Sequence, residues 1–176
     1  KITLDENSYD AEINNGKFDS ILKLQSNIKS GKHTIAIDAS DQNGNSGSSS
    51  VELDVSAIPV YIKIELSSDK IDPGTKTSIK SSLFDQADDL INDSLGLELT
   101  DPSKKKVFTK IVQSNEPIEY EFSQYAEPGL YSMISAYSNL VTQQSINVTA
   151  VKDVKIKYTN QTVTIENVGN VLFDDE

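Results

Sequence analysis

The sequence predicts an all-β chain built from tandem two-sheet sandwiches, and three observations carry that prediction. Nearly every periodic stretch alternates apolar and polar residues with period two, the spacing of a strand with one buried face. Turn clusters such as Asp72-Pro73-Gly74, Asp101-Pro102-Ser103 and Pro128-Gly129 punctuate the chain between those stretches. Only 36% of the 176 residues are hydrophobic, and Ala-, Leu- or Arg-rich helical stretches are missing. That content suits thin sheets, which bury alternate side chains.

The clearest strand is residues 60–66, where Val60, Ile62, Ile64 and Leu66 alternate with Tyr61, Lys63 and Glu65. Further strands are expected over 76–84, 95–99, 106–112, 117–123, 130–138 and 141–149. The stretch 84–93 reads as an acidic loop, because Asp85, Asp88, Asp89 and Asp93 crowd it without a repeating apolar face. Seven short strands separated by turns form the pattern of an immunoglobulin-like sandwich, so residues 58–150 are expected to be one complete domain. Upstream, strands are expected over 2–4, 9–13, 17–24, 33–39 and 48–55, with Asn14-Asn15-Gly16 as a tight turn between two of them. Five strands are fewer than a sandwich needs, so residues 1–57 read as a partial domain. Residues 151–176 supply strands over 154–158 and 162–166. These are expected to open a third β domain, since a lone hairpin buries no core.

Composition excludes several functions. The sixteen basic residues are all Lys, the formal net charge is −11 and there is no Cys. Missing Arg and a strong negative charge argue against nucleic acid, and missing Cys excludes disulfides, thiolate metal sites and a thiol nucleophile. No apolar run approaches the roughly 20 residues of a membrane span. The chain opens within a strand pattern, so a fragment of a longer polypeptide is expected, with its signal and anchor elsewhere. No G-x-S-x-G, P-loop or H-E-x-x-H pattern occurs, and the chain is expected not to be an enzyme.

Candidate chemistry is confined to a few side chains. Asp38, Asp41, Asn43 and Asn45 present closely spaced oxygen ligands that would suit Ca²⁺. The same run reads as a hairpin turn in which Asp and Asn cap main-chain amides. No other cofactor is expected. Asn92, Asn147 and Asn160 each begin an N-x-S/T sequon and are candidate glycosylation sites. His33 is the one histidine. It follows Gly31 by two residues, as Tyr131 follows Gly129, and each pair leads into a strand. In sandwich domains an aromatic ring at that point pins the strand entry to the backbone, and His33 takes this structural role.

Residues 17–55 resemble tandem bacterial and archaeal immunoglobulin-like repeats of surface proteins, the matching part being Gly31-Lys32-His33-Thr34-Ile35-Ala36-Ile37-Asp38-Ala39-Ser40-Asp41-Gln42-Asn43-Gly44-Asn45. Residues 59–149 look like a macroglobulin-type sandwich, through Asp72-Pro73-Gly74, Leu99-Thr100-Asp101-Pro102 and Pro128-Gly129-Leu130-Tyr131. The thioester motif of macroglobulins needs a Cys and is absent. Residues 162–173, with Thr-Ile-Glu-Asn-Val-Gly-Asn inside them, resemble the opening of sandwich repeats in archaeal envelope proteins. The resemblance implies an extracellular module of a surface layer, stalk, filament or adhesin. Its partners would be other domains or copies of the same protein, or a glycan or protein ligand. The alternative is a set of carbohydrate- or protein-binding accessory domains of a larger extracellular hydrolase.

Overall fold

A computed structural model describes residues 1–11, 13–18 and 20–173, which hold strands, turns and no helix. The chain divides into two compact units: Lys1–Pro59 with Asp85–Asp89, and Val60–Phe84 with Leu90–Glu176.

The first unit contains β1 (Ile2–Leu4), β2 (Asn7–Tyr9), β3 (Gly31–Ser40) and β4 (Ser46–Val55), in the antiparallel order β2-β1-β3-β4. Register places Ile2 opposite Ile37, Leu4 opposite Ile35 and His33 opposite Leu53. One face of this sheet is therefore apolar and the other carries Thr34, Glu52 and Asp54. Ile2, Leu4 and His33 are buried.

Two expected strands do not form here. The described residues of 10–13 continue no strand beyond β2. The described residues of 17–24 hold a single bridge, Asn14 with Lys17, around the positive-φ turn residues Asn15 and Gly16. The reason lies in the phase of the apolar residues. Phe18, Leu22 and Leu24 share one phase of the alternation while Ile21 falls in the other, and Ile21 ends 96% exposed.

The second unit is an immunoglobulin-like sandwich. One sheet runs β10-β9-β12-β13-β6, using β6 (Lys70–Ile71), β9 (Ser94–Thr100), β10 (Lys106–Gln113), β12 (Gly129–Tyr137) and β13 (Leu140–Val148). The other runs β11-β7-β5, using β5 (Pro59–Leu66), β7 (Lys76–Asp85) and β11 (Pro117–Glu121), with β8 (Leu90–Ile91) paired to β7. The first strand pairs in one sheet as β5 and then crosses to the other as β6, parallel to β13. That split first strand, with the Greek-key order of the rest, is what identifies the topology. The expected acidic loop at 84–93 thus includes a short strand, because Leu90 and Ile91 pair with Phe84 and Leu83.

Inward residues alternate along β9 and β12, while β7 buries Ser81, Ser82 and Leu83 in succession. Ile79 and Leu83, Leu95, Leu97 and Leu99, Met133, Ile146 and Val148 are almost wholly buried. Phe108, Tyr120, Phe122 and Tyr131 form a chain of edge-to-face rings with centroids 5.0, 4.9 and 5.3 Å apart, the arrangement ring quadrupoles favour. Between the sheets, the buried hydroxyls of Ser81 on β7 and Ser135 on β12 are 2.6 Å apart. These strands are the pair that a disulfide joins in antibody domains.

The last hairpin, β14 (Val154–Thr159) and β15 (Thr162–Asn167), falls in the second unit. The Val168-Gly169-Asn170 segment ties it down. Asn170 donates through Nδ2 to the carbonyls of Ala126 and Thr149 and accepts from the Val151 N–H. A Cβ on Gly169 would collide with the Val151 carbonyl, so no other residue fits there.

Candidate functional site

Of the acidic run at 38–45, residues 41–45 fold as the turn between β3 and β4. Oδ1 of Asp41 accepts the N–H groups of Asn43 and Asn45, and Oδ2 accepts the Asn45 side-chain amide. These donors, the Asn45 side chain foremost, hold the Asp41 carboxyl below its usual range. Asp38 sits outside the turn on β3, where its N–H donates to the Lys1 carbonyl.

Among the described residues the same turn recurs at three aspartates. At Asp41, Asp85 and Asp101 the N–H of the aspartate donates to the carbonyl four residues on at 2.9 Å, and its Oδ1 accepts the N–H of that same residue. The residue before it has positive φ in each case: Gly44 at 84°, Asp88 at 62° and Lys104 at 64°. This is a three-residue hairpin loop with a bulge, locked by an aspartate cap. Asp85 is the buried example. Burial works against its charge, yet the N–H groups of Ala87 and Asp89 prevail and its pKa is lowered. Among the described residues, no group of three or more His, Asp or Glu is placed to hold a metal ion.

His33 is engaged on both nitrogens. Nδ1 lies 2.5 Å from Oδ2 of Asp5 and Nε2 lies 2.8 Å from the Lys29 carbonyl. Tyr131 is buried, with its ring edge-to-face against Phe122 at 5.3 Å. The sequence pairs these two rings by their distance from a glycine. The structure adds that Gly31 and Gly129 have φ of 114° and 131° and that the His33 ring reaches back four residues to Lys29. Asp5 escapes sequence reasoning, because nothing local marks it as a partner for a residue 28 positions away.

The three sequons lie on exposed residues: Asn92 between β8 and β9, Asn147 on β13 and Asn160 in the β14–β15 turn. An open groove of about 720 Å³ on the first unit is lined by Ile2, Ile13, Phe18, Ile37 and Asp38 among others. The final hairpin has an exposed apolar strand surface, where cross-strand pairing puts Ile156 beside Ile165 and Tyr158 beside Val163. Ile156 is 65% and Tyr158 72% exposed. No helix among the described residues is long and apolar enough to cross a membrane.

No protein-family model matches the chain, and no curated protein matches it in sequence. Similar solved structures include an amphioxus IgVJ-C2 molecule, 17% identical, covering 82% of this chain and 73% of that one with a TM-score of 0.38. Another is dimeric latent PorU from Porphyromonas gingivalis, 15% identical, covering 69% of this chain and 12% of that one with a TM-score of 0.37. The chain therefore spans a small part of the length of PorU.

Proposed function

We propose that this chain is a structural and interaction module of a larger secreted or cell-surface protein, working as part of a surface layer, stalk, filament or adhesin. The observation that carries this reading is the apolar face of the β14–β15 hairpin, formed by Ile156, Tyr158, Val163 and Ile165 and left open to solvent. Exposed apolar strand surfaces of this kind mark places where one protein meets another. The titratable side chains singled out above support the same reading. Asp41, Asp85 and Asp101 close turns and His33 pins a strand. Copies of the same protein, or its neighbouring domains, are the proposed partners, and Asn92, Asn147 and Asn160 are the proposed glycan sites on an extracellular surface.

The test is protease shaving of intact cells of the source, followed by mass spectrometry of the released peptides. Peptides from this chain are expected before lysis. Their release only after lysis would overturn the extracellular reading.

A further inference from the structure

We infer that the free edge of β4 in one copy is the acceptor for β14 of a second copy, joined as a parallel strand. The inference rests on the structural role proposed above and assigns it a surface.

Both strands are edges among the described residues. β4 is the last strand of the first unit's sheet, and β14 pairs with β15 on one side. Their sequences are complementary: Val51-Glu52-Leu53-Asp54-Val55 against Val154-Lys155-Ile156-Lys157-Tyr158. Each alternates apolar residues on one face with charges of a single sign on the other. The signs are opposite in a chain whose net charge is −11. Opposite charges set beside each other across strands attract, and like charges repel.

Main-chain geometry selects the direction. The Asp38 N–H donates to Lys1, so Asp38 aims its peptide groups at β1 and Ile37 aims at β4. By the alternation of antiparallel ladders, Val51 and Leu53 also bond towards β3, and the groups left at the open edge belong to Ser50, Glu52 and Asp54. In the final hairpin the two-residue turn Asn160-Gln161, with φ of 49° and 65°, makes Thr159 and Thr162 a bonded pair. Tyr158, Ile156 and Val154 then aim their peptide groups away from β15.

An antiparallel junction would set an outward-aimed Ile156 directly opposite an outward-aimed Glu52, mixing the faces. A parallel junction interleaves the two sets of groups and puts Ile156 opposite Leu53. The register that follows is Val51 with Val154, Glu52 with Lys155, Leu53 with Ile156, Asp54 with Lys157, and Val55 with Tyr158. Both apolar faces then merge. The polar face becomes rows of alternating sign, since Lys32 lies opposite Asp54 and Glu166 opposite Lys155. A donor strand and an acceptor edge on one chain make a heterologous contact, which propagates head to tail.

Sedimentation velocity of the 176-residue chain across a concentration series tests this, with far-UV circular dichroism of each variant as a control for folding. Wild type is expected to self-associate, less so in high salt. E52K/D54K and K155E/K157E are each expected to weaken association about tenfold or more. A one-to-one mixture of the two variants restores it, because every junction regains opposite charges. A chain carrying all four reversals associates like wild type.

Association that persists in both double variants overturns this junction and leaves the structural role intact. The same holds if both variants lose association and neither the mixture nor the fourfold chain recovers it. A wild-type chain that stays monomeric at every concentration overturns the junction, while protease shaving decides the broader reading independently.

Discussion

The carboxylate of Asp5 faces Nδ1 of His33 at 2.5 Å while the opposite ring nitrogen faces the Lys29 carbonyl. Both acceptors are satisfied together only when both nitrogens carry protons, so the arrangement favours imidazolium. The hydrogen bond to Asp5 is the main cause of the raised His33 pKa, with the Lys29 carbonyl second.

The pH dependence follows. A folded pKa above the unfolded value near 6.5 contributes stability that is fully present below that value. It is lost as pH rises through the folded pKa. Amide exchange in β1 and β3, corrected for its intrinsic pH dependence, is expected to show protection falling over that upper window in wild type. H33F should lack this component. An unchanged profile in H33F would remove the pair as its source.

Ser81 and Ser135 give a second prediction. S81A leaves the Ser135 hydroxyl buried without its partner and is expected to cost about 1–3 kcal/mol. S81A/S135A removes both polar groups and should cost less than the sum of the single variants, as measured by urea denaturation. Strict additivity would show that the hydroxyls do not depend on each other.

At Asp85 the prediction is chemical. D85A strips the acceptor from two N–H groups and is expected to destabilise by about 1–3 kcal/mol. D85N keeps an acceptor oxygen and should lose less. Because the folded pKa of Asp85 is lowered, its ionisation contributes stability above the unfolded value near 3.9, lost as pH falls through the folded pKa. The difference between wild type and D85N should therefore shrink in acid, which denaturation at pH 7 and in strong acid would measure.

At Gly169 a methyl group has nowhere to go. G169A is expected to release the segment from 151 to 173 while leaving the sandwich core folded. Limited proteolysis should cut 151–173 first in the variant and not in wild type. N170A, which deletes the donors to Ala126 and Thr149, should do the same.

Much of this fold can be read from the chain, and the reason is burial. Residues 60–66 alternate because one face of β5 meets a core, and Gly129 before Tyr131 shows where a strand must turn. The turns at Asp41 and Asp101 are legible because their caps act within four residues. Strands β6 and β8 escape because two residues cannot display a period. The 17–24 stretch misleads because strand-forming residues without a consistent face gain nothing from pairing. Ser81 with Ser135 and Asp5 with His33 are invisible for a different reason: hydroxyls and carboxylates reveal a distant partner only after the chain has brought it near. The complementarity of 51–55 and 154–158 was present in the letters throughout. It acquires meaning once β4 and β14 are seen to be edges and their peptide groups are known to point outward.

The hydroxyl pair between β7 and β12 has a consequence for where such a chain can be made. Sandwiches stapled by sulfur must meet an oxidant before they are finished, and a reductant can undo them. A bond between Ser81 and Ser135 involves no electron transfer. This sandwich can close equally well in a reducing cytosol, during export or in open water, and thiol reagents should leave its unfolding midpoint where it was.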